Sequence, residues 1–237
     1  MRSPGPLLVH LQRLIESSYD WKTGIEDVGP FVIGDIGYRH LYGDKEILED
    51  PMEDSPGPRT LISYHEGRTR LGIYYPDHLV DFLEQQNPLD EVNEENVAPF
   101  SVVIEELDHF LMIAWCIRIG RAVRLVELEF HANITKYLVL AHFIGRLTRR
   151  PRLTPTERRW LRIQLFEGAG DGLPERFELR YRTAARLAGL FLDRIEVLPP
   201  VHRVMALRRF ARHSWLCQRS CLESLDPAER LGLLLRI

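Results

Sequence analysis

Cysteine is scarce in this chain of 237 residues, and the spacings of the common cysteine sites are missing. Only Cys116, Cys217 and Cys221 occur, and no two of them form a C-x-x-C pair. An odd number of cysteines without that spacing argues against a disulfide framework and against a zinc ribbon. We therefore expect a protein of a reducing compartment, with a cytoplasmic location.

Long apolar runs and the short signatures of several enzyme classes are also missing. The apolar stretch 110–117 is too short to span a bilayer, and residues 1–18 lack the apolar core of a signal peptide. The sequence has no G-x-S-x-G and no H-E-x-x-H, and the glycine-rich segment 167–172 lacks the lysine of a phosphate loop. We expect no membrane association and no nucleotide cofactor.

Lysine is rare as well, and the charges are distributed unevenly. Residues 1–110 hold 8 basic and 22 acidic residues, a net charge of −14, whereas residues 111–237 hold 23 and 12, a net charge of +11. The two halves can neutralise each other within one fold, or the basic half can face an anionic partner. One functional hypothesis is therefore a non-catalytic protein whose arginine-rich C-terminal helices bind an acidic protein or nucleic acid. The arginines that define this hypothesis most directly are Arg158, Arg159, Arg208 and Arg209.

The order of sequence patterns predicts an α+β fold that is predominantly α-helical. Residues up to about 76 are rich in glycine, proline, tyrosine and β-branched residues, which favours a short strand at 31–33 and a hairpin at 60–75. We expect this small β-rich part to pack on a multi-helix bundle with a central antiparallel helix hairpin at about 99–149. One domain over 1–237 is the first interpretation; the alternative divides it into an acidic lobe, 1–76, and a helical lobe, 77–237. Apolar periodicity and capping residues predict helices at 6–18, 77–86, 99–119, 123–149, from 154 to the glycine-rich segment, 174–195, 201–214 and 227–235.

The two helices of the central hairpin combine apolar surroundings with charged side chains. The helix at 99–119 is apolar on nearly every face, which is typical of a buried helix, yet it carries acids and a histidine. An unpaired buried charge costs several kcal/mol, so each of these groups needs a partner or must be neutral. The next helix repeats the pattern. The groups concerned are Glu105, Glu106, Asp108 and His109, then Glu127, Glu129 and His131.

Matching heights on the two helices suggest a metal site. If the bend is centred near Gly120, residues whose numbers sum to about 240 lie level, and His109 and His131 satisfy this condition. Carboxylate and imidazole ligands suit zinc, manganese or iron. We therefore nominate as ligands Glu105, Glu106, His109, Glu127 and His131. Candidates to orient a histidine or act as a base are Asp108, Glu129, Thr135 and His142.

The spacing of Glu106-Leu-Asp-His109 resembles the Glu-x-x-His pairs of ferritin-like di-metal bundles. The second helix departs from that pattern, because position 128 is leucine and the acid lies at Glu127. The resemblance covers two short motifs and implies at most a di-metal or single-metal centre between the helices. The functional hypothesis is a metal-dependent hydrolase or oxidoreductase whose catalytic residues and substrate are unknown.

The alternative for the same residues is a structural ion-pair network. Arg124 or Lys136 can neutralise the acids, and the numbers of Lys136 and Glu105 sum to 241, which places them level across the hairpin. The histidines would then be core residues with satisfied ring nitrogens.

Overall fold

The computed structural model describes residues 6–42, 57–168, 170–172 and 174–223, and it confirms the predicted helix-dominated α+β class. Within these residues the chain forms nine α-helices and one small mixed sheet of three strands. None of the described helices is long and apolar enough to cross a membrane. The helices are α1 Pro6–Tyr19, α2 Asp35–Tyr42, α3 Asp77–Gln85, α4 Val97–Arg118, α5 Leu125–Leu147, α6 Pro155–Phe166, α7 Glu175–Glu196, α8 Pro200–Arg212 and α9 Trp215–Glu223.

The sheet joins the predicted hairpin to the short strand that precedes it. Strands β2 (Arg59–His65) and β3 (Arg68–Tyr74) pair antiparallel, and β1 (Val32–Ile33) pairs parallel with β3, in the order β1-β3-β2. Just after β3, Tyr75 donates its hydroxyl to the carbonyl of Val103 over 2.8 Å. The sheet is therefore fixed against α4, the first helix of the central pair.

Helices α4 and α5 form the central pair that the sequence predicts, with ends within about two residues of the expected ones. Both are buried along most of their length, because α4 contacts α1, α3, α6 and the sheet while α5 packs chiefly on α4 and α7. Gly120 has a φ of +68°, a left-handed conformation in which glycine carries no steric penalty, and it ends α4. The pair positions the charged residues of both helices in the protein interior.

Two helices were not predicted, and two predictions fall outside the described residues. Helix α2 lies in the segment that was expected to be β-rich, and α9 lies between the predicted helix at 201–214 and the one at 227–235. The helix predicted at 227–235 lies outside the described residues. So does most of segment 46–58, which is acidic and rich in proline and whose composition predicts a loop. Whether residues 1–76 form a separate lobe stays a prediction.

The capping box that opens α6 yields a stability prediction. The Thr154 hydroxyl accepts from the backbone N–H of Glu157 over 3.2 Å, and the Glu157 carboxylate accepts from the N–H of Thr154 over 2.7 Å. We expect Thr154→Ala to lower the free energy of unfolding by about 1 kcal/mol in urea titrations, since one helix-terminal donor loses its partner. Thr156→Ala, at an exposed position two residues further along the chain, is the matched control. Equal effects from both substitutions would contradict this role for Thr154.

Candidate functional site

Three of the charged residues on the central helices form one compact cluster. Glu105 and His109 lie one turn apart on α4, and Glu129 reaches them from α5. One ligand atom from each lies within 4.8 Å of the other two. His109 is 9% and Glu129 6% exposed, so this cluster is largely removed from solvent. We call Glu105, His109 and Glu129 the acidic cluster.

Two basic side chains adjoin the acidic cluster. Lys136 of α5 places its Nζ 2.5 Å from Glu105 Oε2, and this confirms the ion pair expected from their level positions. Arg180 of α7 lies 3.4 Å from Glu129 Oε1, and its guanidinium also sits over the rings of Phe177 and Tyr181. The carboxylates of the cluster therefore have cationic partners from two different helices.

The protonation of the acidic cluster follows from these contacts. Burial raises the pKa of Glu105, but Lys136 and His109 outweigh that effect and hold the pKa below its ordinary value. Burial lowers the pKa of His109, but the contact with Glu129 and the charges of Glu106 and Glu105 raise it to about 9. In the metal-free protein at neutral pH, His109 is thus an imidazolium beside two carboxylates.

A second buried network surrounds His131. Its Nδ1 lies 2.9 Å from Asp108 Oδ2, and Thr135 donates its hydroxyl to Asp108 Oδ1 over 2.7 Å. Tyr19 completes the chain, with its hydroxyl 2.8 Å from that of Thr135. Asp108 thus contacts both His131 and Thr135 through its two carboxyl oxygens. This network fixes the orientation of His131.

Aromatic rings pack against the imidazole of His131. The His131 ring lies 4.2 Å from that of Tyr19 and 4.7 Å from that of Trp21, which in turn stacks on Trp115. Nε2 of His131 has no hydrogen-bond partner among the residues that the structure describes. The imidazole is thus held by one carboxylate on one side and by aromatic packing on the other.

The five nominated ligands do not come together as one group. Glu105 and His109 belong to the acidic cluster, where the third member is Glu129, which the sequence suggested only as an orienting group or base. Glu127 forms an ion pair with Arg121, and His131 bonds to Asp108. The two histidines therefore bind different carboxylates, although the helix heights place them level.

The other nominated residues lie at three places. The carboxylate of Glu106, whose pKa burial raises, accepts a hydrogen bond of 2.9 Å from Thr60 of β2. Thr135 belongs to the network around His131. His142 lies about two turns beyond Thr135 on α5, where it lines two cavities beside α8.

Three residues that complete these networks had no signal in the sequence. Arg121 follows the bend and its guanidinium sits 5.6 Å from the Trp115 ring centre, while Arg180 and Tyr19 come from α7 and α1. Their roles depend on how distant helices pack, which local periodicity does not determine. No family model, curated protein or solved structure matches this chain, so its function has to be argued from these side chains.

The protonation of His109 gives a prediction for the metal-free protein. Because its pKa in the folded chain, about 9, exceeds the value near 6.5 of an unfolded chain, the charged imidazole stabilises the fold fully below pH 6.5. That contribution is lost as the pH rises through 9. We expect NMR titration with a chelator present to give the His109 ring a pKa well above 6.5, and Glu129→Gln to lower it. A His109 ring that is neutral at pH 7 would contradict this electrostatic description.

Proposed function

We propose that this protein binds a divalent cation through Glu105, His109 and Glu129. The observation that carries the proposal is the position of three ligand atoms, from two buried helices, within 4.8 Å of one another. One imidazole and two carboxylates form a ligand set that suits zinc, manganese or iron. The two negative charges balance those of the ion.

The distances within the acidic cluster support this proposal. Nε2 of His109 and Oε2 of Glu129 are 3.7 Å apart, which is longer than a hydrogen bond. Ligand atoms around a tetrahedral zinc ion lie roughly 3.3–3.6 Å apart, as metal–ligand distances of about 2.0–2.2 Å require. A small side-chain rotation is therefore enough to bring this pair to a shared ion.

The proton on His109 and the ion pair between Lys136 and Glu105 both oppose cation binding. The imidazolium of His109 must lose its proton before the ring can act as a ligand, so affinity falls as the pH is lowered. Lys136 competes with the ion for Glu105, because both need the same negative charge. Removal of the Lys136 charge is therefore expected to strengthen cation binding.

The number of ligands bears on the type of chemistry. Three protein ligands leave a coordination position for water, as in catalytic zinc sites, and a bound divalent ion lowers the pKa of that water. A metal-dependent hydrolase or oxidoreductase is the enzyme class this arrangement would serve. The burial of His109 and Glu129 restricts access to small molecules.

Metal analysis of the purified protein is the direct test. We expect about one zinc or manganese ion per chain in protein prepared without chelator, and at least tenfold weaker binding by calorimetry in His109→Ala and Glu129→Gln. His78→Ala, which removes an exposed histidine from α3, is the matched control. Lys136→Met is expected to bind more tightly, an outcome that a misfolded variant would not produce. Wild-type protein that carries no ion and is not stabilised by added zinc would refute the proposal.

The arginine-rich surface supports a second candidate function. Arg158 and Arg159 on α6 make no ion pair with any described acid, whereas Arg162 on the same helix pairs with Asp193 over 2.8 Å. Arg208 instead donates to the backbone carbonyls of α1. Unpaired arginines on a helix surface can contact the phosphates of nucleic acid or the carboxylates of an acidic protein.

Salt dependence tests this second function. If the surface binds a polyanion, the affinity for a short single-stranded oligonucleotide or for polyglutamate should fall steeply between 50 and 200 mM salt. Arg159→Gln should weaken binding and flatten the salt dependence, while Arg219→Gln on α9 should not. Affinity that does not change with salt or with Arg159→Gln would exclude this function.

A further inference from the structure

Two adjoining cavities lie where α5 meets the C-terminal helices, away from the acidic cluster. The first, of about 200 Å³, is lined by three arginines, Arg152, Arg158 and Arg203, and we call it the basic cavity. The second, of about 260 Å³, has mostly apolar walls, and we call it the apolar cavity. They adjoin, because both are lined by Leu138, His142, Ile195 and Arg203.

No carboxylate of the described residues forms an ion pair with the arginines of the basic cavity. Arg152 and Arg158 make no ion pair with the acids in the described part of the chain. Arg203 donates to two backbone carbonyls, from Nε to that of Leu198 over 2.8 Å and from Nη2 to that of Glu196 over 2.6 Å. Burial and the charges of Arg152 and Arg158 lower the pKa of Arg203, and they outweigh the opposing effect of the Glu196 carboxylate. Three positive charges thus lie close enough to repel one another.

Glu196, the acid that lines the basic cavity, offsets only part of the charge of the three arginines. The Glu196 carboxylate accepts from the Tyr137 hydroxyl and lies 3.5 Å from Nη2 of Arg162, so it is already partnered. Burial and the nearby His10 and Arg146 lower the pKa of His142, which disfavours a positive charge on that ring. The basic cavity therefore keeps an excess of positive charge and of guanidinium donors, which match the geometry of phosphate oxygens.

The apolar cavity is suited to hydrocarbon. Its walls come from four helices: Leu14 of α1, Val139 of α5, Ile195 of α7, and Val204 with Leu207 of α8. The three hydroxyls that reach it are already hydrogen-bonded. Tyr19 bonds to Thr135, Thr135 donates to Asp108, and Ser18 donates to the Leu14 carbonyl. These hydroxyls therefore offer no free donor to a polar group of a ligand. Burial of a hydrocarbon chain against the apolar walls is favourable.

We propose that the two cavities together bind one small amphiphilic anion, a phosphate monoester with a short apolar chain. The phosphate contacts Arg152, Arg158 and Arg203 in the basic cavity, and the chain lies between α1 and α8 in the apolar cavity. Cavities of about 200 and 260 Å³ that adjoin fall together within the usual size range of small-molecule sites. The proposal does not depend on the cation site, since the two share no side chain.

Calorimetry on the full-length protein with three probes tests the two-part ligand. Hexyl phosphate is expected to bind at least tenfold more tightly than inorganic phosphate and more tightly than hexanol, because only it fills both cavities. Equal affinity for inorganic phosphate would remove the role of the apolar cavity, and equal affinity for hexanol would remove that of the arginines. No binding of hexyl phosphate at millimolar concentration, or a preference for an oligonucleotide, would overturn the proposal.

Substitutions then locate the site. Arg158→Gln should weaken hexyl phosphate binding at least tenfold. Val204→Trp, at a half-exposed position where a larger side chain can fill the apolar cavity, should weaken hexyl phosphate but leave inorganic phosphate unchanged. Arg219→Gln removes a surface arginine that pairs with Glu223 on α9 and is the matched control. Binding that survives both Arg158→Gln and Val204→Trp in folded protein would place the ligand elsewhere and sink the assignment.

Discussion

Neutralisation of buried charge at the contact of α4 and α5 is the constraint on which the rest of the structure depends. These two helices supply much of the apolar core and also carry Asp108 and Glu127, which are 0% and 2% exposed. A buried carboxylate without a partner is strongly destabilising, so the packing must bring a counter-group to each one. His131 serves Asp108 across the hairpin, Arg121 reaches Glu127 from just beyond the bend, and the arginine that meets Glu129 comes from α7. The position of α7 and the geometry of the bend are thus tied to the same electrostatic requirement as the core.

Local chemistry explains which parts of the fold could be predicted from the sequence. The ends of α4, α5 and α6 follow from apolar periodicity, from Gly120 and from the capping box at Thr154, all of which act within a few residues. Helix α2 was missed because its buried residue, Tyr38, packs on Tyr74 of β3, a contact between segments 36 positions apart that no local pattern records. In α9 the buried face includes the polar Gln218, which donates to the Phe210 carbonyl, so the apolar period is broken where the helix is most buried.

The candidate site shows which contacts can be predicted by matching the heights of residues on two antiparallel helices. Equal height along an antiparallel pair correctly joined Glu105 to Lys136, because long flexible side chains meet whenever their levels match. Height does not fix the direction around the helix axis, and neighbouring residues such as Asp108 and His109 point about 100° apart. His131 consequently meets Asp108, and His109 meets Glu129 instead of the second histidine. A prediction of ligands needs both the height along the helix axis and the direction around it, and the sequence gives only the height.

The ion pairs of the structure show how far the uneven charges of the two halves of the chain neutralise each other. Some positive charges of residues 111–237 are neutralised by acids of residues 1–110. Lys136 pairs with Glu105, and Arg212 pairs with Asp20. Other arginines of the basic half use acids of their own half, as Arg162 does with Asp193. Because residues 111–237 hold 23 basic residues and only 12 acids, some basic groups there have no acid of their own half. These groups are left to the acidic half, to solvent or to another molecule. The arginines of the basic cavity are such a remainder, and their shared position beside an apolar cavity favours a compact anion with a hydrocarbon chain over a diffuse polyanion.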